Sequence, residues 1–315
     1  MKVFITGITG MAGSEFARAY TERGAEVCGV ARNSASNRME AIQDKRVIRC
    51  DITDRDSLER VVDKIRPDLI VHMAAQAFNG LSWDCEYLTH HTNYTGTLNV
   101  LKCAMKNSAD TKVLLACSSA EYGDFSSSEC PLIEERPLRP VTPYGVSKAA
   151  VEMLGLQYHK NYGLPVYLPR MFIHVGTGHP PATAIQNFAR QLACIARKKT
   201  TESVLYVGNL RTARDFIDVR DGVQAMISML ERGMPGQPVN ICSGKAYSIE
   251  EVLKMLIDIS GLNVDIREDA SLLRVSDEPL LLGDNHKISS LGFTPQYAIQ
   301  DTLRAVYQDW LERVE

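Results

Sequence analysis

The chain has 315 residues, 45% hydrophobic and 23% charged, the balance of an ordinary soluble globular protein. Its net charge of −3 leaves no electrostatic footprint for nucleic acid, and no apolar stretch approaches the roughly 20 residues that cross a bilayer. The eight cysteines show neither Cys-x-x-Cys nor zinc-like spacing, so they read as reduced thiols of a cytoplasmic protein with no metal centre.

The opening "MKVFITGITG" is interrupted by glycine too soon for a signal peptide. Its "KVFIT" is a short apolar run, the pattern of a buried parallel strand. "SEFARAYTERG" follows with helical spacing and a glycine stop. "EVCGVAR" and "RVIRCDI" read as the second and third strands, "RDSLERVVDKIRP" as a helix, and "DLIVHMA" as the fourth strand. A helix over about 89–106 and a fifth strand, "KVLLACSS", come next. This rhythm predicts an α/β fold of the Rossmann type, a doubly wound parallel sheet, because parallel strands need crossover helices. In "VTPYGVSKAAVEMLGLQYHKNYG", Thr142 is placed to cap a helix, Pro143 to begin it and Gly163 to stop it. Beyond about residue 173, proline, glycine and polar loops increase. The expected division is a dinucleotide-binding domain over 1–172 and a smaller α/β substrate domain over 173–315. The stretch "RDFIDVRDGVQAMISMLERG" reads as a helix, and the segment 210–245 as one that could return to the first domain.

"TGITGMAG" sets Gly7, Gly10 and Gly13 three apart around Met11, between the first strand and the first helix. Glycines there permit a tight turn and let backbone amides approach a pyrophosphate at the helix N-terminus. Nineteen residues past Gly13, the place of a carboxylate that would hold the NAD ribose is taken by Arg32, with Arg38 nearby. A guanidinium suits the 2′-phosphate of NADP(H), so NADP(H) is the expected cofactor, with NAD(H) as the alternative. Asp51 and Ile52 are candidates to meet the adenine, and Ala74 and Ala75 of "HMAAQA" to pass under the nicotinamide half.

Among the twelve tyrosines only Tyr144 has a lysine four residues on, Lys148. The two share a helix face, and an ammonium beside the nicotinamide ribose can lower a tyrosine towards neutrality as a proton donor or acceptor. Ser118 stands before them at a predicted strand end.

In this order, "TGITGMAG", "SSAEYG" and "PYGVSK" resemble the extended short-chain dehydrogenase/reductase family over nearly the whole chain. "VGNLRTARDFIDVRD", "NICSG" and "LRVSDEP" with "LLGD" resemble its branch of GDP-mannose 4,6-dehydratases and GDP-6-deoxy-4-keto-mannose reductases. The resemblance implies that Ser118 hydrogen-bonds the substrate's C4 oxygen, Tyr144 passes the proton and Lys148 binds the nicotinamide ribose. It implies that Arg214 and Arg274 clamp a diphosphate, that Asp277 stands where a glutamate holds the nucleotide ribose, and that Arg190 lies near the base. It also implies a homodimer formed through the helices around 93–105 and Tyr144.

Dehydratases of this branch carry a glutamate two residues after the catalytic threonine. Here Ser118 takes the threonine's place and Ala120 the glutamate's, while Glu121 falls one residue late. Strand alternation would set Ala120 and Glu121 on opposite sides, leaving Glu121 as a pocket contact or a partly exposed polar side chain. The expectation is therefore a reductase of a GDP-linked 4-keto-6-deoxysugar. The rival readings are a 4,6-dehydratase using Glu121, a 4-epimerase with bound NAD, and a non-catalytic cofactor sensor. Ile173 in place of the family asparagine and "GTGH" in place of "GPGQ" mark departures on the substrate side.

Overall fold

The computed structural model describes residues 1–32, 47–200, 202–273 and 278–314. In chain order the first half runs β1 Lys2–Thr6, α1 Met11–Glu22, β2 Glu26–Ala31, β3 Val47–Arg49, α2 Arg55–Ile65, β4 Leu69–His72, α3 Glu86–His90, α4 Gly96–Asn107, β5 Lys112–Leu115, β6 Cys117–Ser118 and α5 Pro143–Tyr162. The second half runs β7 Val166–Met171, β8 Ile173–Val175, α6 Ala184–Ala196, β9 Val204–Val207, β10 Ala213–Asp218, α7 Val219–Arg232, β11 Pro238–Ile241, β12 Ala246–Ser248, α8 Ile249–Ser260, β13 Asp265–Glu268, β14 Leu280–Leu281, α9 His286–Ser290 and α10 Ile299–Arg313.

The large sheet has the order β11-β7-β5-β4-β1-β2-β3, and its ladders are all parallel. Strand alternation divides its side chains between two layers. Val3, Ile5, Val71 and Leu114 pack with α1 and α7 on one face. Phe4, Ile70, Val113 and Leu115 pack with α2, α4 and α5 on the other. This is the doubly wound three-layer arrangement that the alternating elements predict. A third core gathers α6, α8 and α10 beside a smaller sheet of order β12-β10-β14, to which β8 adds by pairing β10.

The capping signals of α5 act as they read. Thr142 is extended and accepts the Gly145 amide through its side chain, and Gly163 ends the helix at φ 70°. Three local readings change. "KVLLACSS" is two strands, not one. It breaks at Ala116, whose carbonyl accepts the Lys148 ammonium at 2.6 Å, and β6 beyond the break pairs with β7. Residues 214–218 are strand rather than helix, because Phe216 and Ile217 pair with β8 and Asp218 caps α7 by accepting the Arg220 amide. The segment Ser119–Glu121 is a 3-10 turn, not a continuing strand. Strand alternation therefore does not govern Ala120 and Glu121.

Candidate active site

The glycine loop closes on itself before α1. Gly7, at φ 68°, is bonded to β2 through its amide and the Val30 carbonyl at 3.0 Å. A Cβ on Gly13 would lie 2.1 Å from the Gly7 carbonyl oxygen, and one on Gly7 would lie 2.8 Å from the Ala74 nitrogen. Both glycines are required by close backbone approach. Gly10, the N-cap of α1, makes no side-chain cap bond, and the first turn carries no acidic residue. The amides at this helix end are thus left to an anion. Met11 sits in that first turn. These features fit the pyrophosphate of a dinucleotide.

Arg32 is exposed at the end of β2; Arg38 lies outside the described residues. Asp51 folds its carboxylate back onto Thr53, accepting its amide at 2.9 Å and its hydroxyl at 2.8 Å. Ile52 is buried, and a Cβ on Gly96 of α4 would fall 2.4 Å from its Cδ1. An adenine would therefore meet the backbone here more than the Ile52 side chain. Ala74 and Ala75 follow β4 beside the glycine loop.

Beneath that loop lies a hydrogen-bond chain that no sequence motif announced. The Ala74 amide donates to Thr6 Oγ1 at 3.2 Å, Thr6 Oγ1 meets His72 Nδ1 at 2.7 Å, His72 Nε2 meets Thr97 Oγ1 at 3.0 Å, and Thr97 donates to the Asn93 carbonyl. Since Thr97 spends its hydrogen on Asn93, His72 must donate from Nε2 and accept at Nδ1, which fixes one neutral tautomer. Burial and nearby Lys148 push His72 down to about 3. A histidine whose folded value lies below its unfolded value of about 6.5 stabilises the fold above that pH. The contribution is lost as pH falls from there towards 3. Between pH 8 and pH 5 this one group should cost about 2 kcal/mol. The check is the unfolding free energy of wild type minus His72→Asn across that range. The difference should shrink by that amount, and a constant difference would count against the tautomer.

Ser118, Tyr144 and Lys148 converge where β6 ends and α5 begins. The Ser118 side chain lies beside the Tyr144 phenol, and the Lys148 ammonium lies 5.8 Å from the Tyr144 ring centre. Ser82 holds the helix start in place: its hydroxyl accepts the Tyr144 amide at 3.2 Å and donates to the Asn79 carbonyl at 2.6 Å. Burial pushes Tyr144 up to about 12, with Ser118 opposing, so the phenol is protonated in the free site. Burial lowers Lys148 from its ordinary value.

Glu121 differs from both of its sequence readings. The 3-10 turn directs its carboxyl inward, where it is fully buried and accepts the Ser118 amide at 2.6 Å; Ala120 is the partly exposed residue. Glu121 is therefore neither a pocket wall nor an exposed polar contact. Behind it, Arg170 grips Glu152 by two bonds, Nε to Oε2 at 2.8 Å and Nη2 to Oε1 at 2.7 Å. Tyr122 is likewise buried and donates to Asn240 at 2.6 Å.

On the substrate side, Arg214 is buried and donates to the carbonyls of Ala213 and Glu278 at 2.8 and 2.6 Å. Its guanidinium braces the backbone at Glu278. Arg274 and Asp277 themselves lie outside the described residues. Arg190 touches Asn187 at 3.3 Å, and its Nε is buried without a hydrogen-bond partner. His174 bonds the Phe172 carbonyl through Nδ1 at 2.9 Å and is a structural residue. Phe78, after β4, meets His179 of "GTGH" edge-on at 5.4 Å, bringing together two loops of the cleft. The sequence reading passed over His72, Ser82, Asn93, Glu152 and Arg170. For Glu152 one signal was available: it lies four residues past Lys148 on the same helix face.

A parallel dinucleotide fold bearing this serine, tyrosine and lysine is that of an extended short-chain dehydrogenase/reductase. Within that class the chain belongs to the GDP-mannose 4,6 dehydratase family, whose sequence model matches residues 4–306. It is 31% identical over 267 residues to GDP-6-deoxy-D-mannose reductase of Pseudomonas aeruginosa, covering 84% of this chain and 87% of that protein. It is 30% identical over 295 residues to GDP-mannose 4,6-dehydratase of Yersinia enterocolitica, covering 88% and 78%. The solved structure of RMD from Pseudomonas aeruginosa complexed with NADPH superposes with a TM-score of 0.87 at 28% identity, covering 99% of each chain.

Proposed function

We propose that this protein is an NADPH-dependent 4-ketoreductase of a GDP-linked 4-keto-6-deoxyhexose. GDP-4-keto-6-deoxymannose is the expected substrate and GDP-rhamnose the product. The observation that carries the reading is the turn after β6. The side chain two residues past Ser118 is the methyl of Ala120, which has no acid–base chemistry, and the nearby Glu121 carboxyl is turned away from the cleft. Reduction needs a polarised carbonyl and one proton, whereas loss of water across C5 and C6 needs a further acid–base group there. The same turn weighs against the dehydratase reading.

Residues 1–172 would hold the dinucleotide: the amides around Gly7, Gly10, Met11 and Gly13 the pyrophosphate, Arg32 the 2′-phosphate, and the backbone at Asp51–Ile52 the adenine. Ala74 and Ala75 would flank the nicotinamide half. NADPH, when bound, supplies the hydride. Ser118 donates a hydrogen bond to the sugar carbonyl, and Tyr144, protonated in the free site, delivers the proton to the alkoxide oxygen. Lys148 positions the cofactor ribose and lowers the cost of leaving a phenolate behind. Residues 173–315 would hold the nucleotide-sugar, apart from α7 and β11, which pack with the large sheet. Arg214, Arg274 and Asp277 would meet the diphosphate and ribose, and Arg190 the base. No helix among the described residues is long and apolar enough to cross a membrane. A cytoplasmic homodimer joined through α4 and α5 is the assembly we expect.

The test is absorbance of NADPH on mixing it with the protein and freshly generated GDP-4-keto-6-deoxymannose. Stoichiometric loss with a GDP-6-deoxyhexose product is expected. A keto product from GDP-mannose without cofactor consumption would make the protein a dehydratase.

A further inference from the structure

Three elements meet behind Ser118 in a pocket closed to solvent. β6 brings Cys117, α5 brings Glu152, and β7 brings Arg170, while the turn after β6 brings Glu121. Glu121 and Glu152 are both fully buried, and Arg170 is 3% exposed. The Cys117 sulfur and one oxygen from each of the two carboxyls lie within 4.8 Å of one another. Arg170 places two N–H groups on Glu152 and turns its remaining nitrogen to the Tyr122 hydroxyl at 3.1 Å and the Glu134 carbonyl at 2.8 Å. One guanidinium therefore faces two carboxyls. Were both ionised, a negative charge would be left buried without a partner, an arrangement that proteins avoid by holding a proton.

The atoms show where the proton sits. Glu121 Oε1 is an acceptor, since it receives the Ser118 amide at 2.6 Å. Its Oε2 is buried and receives no N–H or O–H, and an oxygen of the Glu152 carboxylate lies within 4.8 Å of this carboxyl. Two buried carboxyl oxygens set so near each other are relieved by a hydrogen between them. Glu152 is committed to Arg170, so the hydrogen belongs to Glu121 Oε2. Burial and Glu152 both raise Glu121 well above the usual carboxyl range. Of the other titratable groups around it, the Cys117 thiol is raised chiefly by burial, and Lys148, lowered by burial with Cys117 and Glu121 opposing, spends its ammonium on the Ala116 carbonyl at 2.6 Å.

We propose that Glu121 is a neutral carboxylic acid that positions Ser118, its Oε1 receiving the Ser118 amide and its Oε2–H donated to Glu152. One proton would then tie the strand end that carries Ser118 to the helix that carries Tyr144 and Lys148. Glu152 stands one turn beyond Lys148 on that helix, and Arg170 anchors it to β7, the strand that β6 pairs with. Glu121 touches neither substrate nor cofactor in this reading. It sets the distance between the group that polarises the carbonyl and the group that protonates it.

Two variants separate this from alternatives, and the kinetic arm rests on the reductase reading while the other arms do not. Glu121→Gln keeps an acceptor for Ser118 and a donor for Glu152 without charge; Glu121→Leu keeps the volume and removes both. In infrared difference spectra at pH 7, wild type should show the carbonyl stretch of a buried carboxylic acid that Glu121→Gln lacks. Alkaline titration of tyrosinate absorbance, with Tyr144→Phe as the subtracted reference, should give Tyr144 the same value in wild type and Glu121→Gln and a shifted value in Glu121→Leu. In the ketone assay, Glu121→Gln should stay within about twofold of wild type. Glu121→Leu should lose tenfold or more in kcat at unchanged KM for NADPH, since a misplacement of about 1 Å can cost roughly a hundredfold. The proposal is overturned by the absence of that infrared band, by Glu121→Gln behaving as Glu121→Leu, or by a Glu121→Leu protein with an unshifted Tyr144. If wild type reduces no ketone, the reductase reading fails alone, and the infrared and titration arms still decide this one.

Discussion

Replacing Tyr144 with phenylalanine is expected to lower kcat for ketone reduction by two to four orders of magnitude, the usual value of a positioned general acid. The substitution removes one oxygen from the start of α5. The ring keeps its place, because the helix is held by Thr142 capping Gly145 and by Ser82 on the Tyr144 amide. The glycine loop is untouched, so the dissociation constant for NADPH should change by less than about threefold. With burial pushing Tyr144 up to about 12, wild type carries the proton over the whole neutral range. The wild-type rate should therefore show no loss between pH 6 and pH 8 that traces to this group. Single-turnover decay of NADPH absorbance gives the rate, and quenching of protein fluorescence gives the binding. A variant within tenfold of wild type would remove Tyr144 from the proton-donating role.

Replacing Arg170 with methionine should cost 3–5 kcal/mol of stability, the usual result of breaking one side of a buried ion pair. Methionine fills much of the space but leaves Glu152 without its two N–H partners, next to Glu121, in a region closed to water. Two routes relieve this: Glu152 takes up a proton, or the turn at 119–121 opens to admit solvent. Both loosen Ser118. At roughly 2–4 °C per kcal/mol for a chain somewhat smaller than this one, the melting temperature should fall by about 10 °C. The double variant Arg170→Met with Glu152→Met removes both charges and should recover most of the loss, because a buried pair is often no better than apolar side chains of its size. A single variant that melts within 2 °C of wild type would show that the pair is not a support of this fold.

What the sequence disclosed was local chemistry. Thr142, Pro143 and Gly163 mark α5 because capping and the left-handed stop act over neighbouring residues. Gly7, Gly10 and Gly13 mark the dinucleotide turn because only backbone crowding requires them, and the structure shows that crowding at Gly7 and Gly13. What the sequence kept hidden depends on contacts between distant segments. Nothing near Ala116 says that Lys148, 32 residues on, takes its carbonyl and interrupts the fifth strand. Glu121 reads as a polar residue close to a catalytic serine. Its inward turn depends on Glu152 and Arg170, which arrive from a helix and a strand far along the chain. The returning segment shows the same limit. "ARDFID" and "VRDGVQAM" run together as one polar–apolar pattern until pairing with β8 claims the first half.

The path of the chain between its two sheets has a mechanical consequence. It leaves the large sheet between β7 and β8, at 171–173, returns from β10 directly into α7, at 218–219, leaves again between β11 and β12, at 241–246, comes back between β14 and α9, at 281–286, where Ile288 joins the core under α7, and leaves once more between Phe293 and Ile299. A lobe attached by one connection can swivel and translate; one attached by five has far less freedom to do either. Two of these connections, at 171–173 and 241–246, leave from the carboxyl ends of β7 and β11, the edge where ligands of such sheets bind. Swivelling of the smaller lobe across the cleft is thereby restrained at several points along the chain.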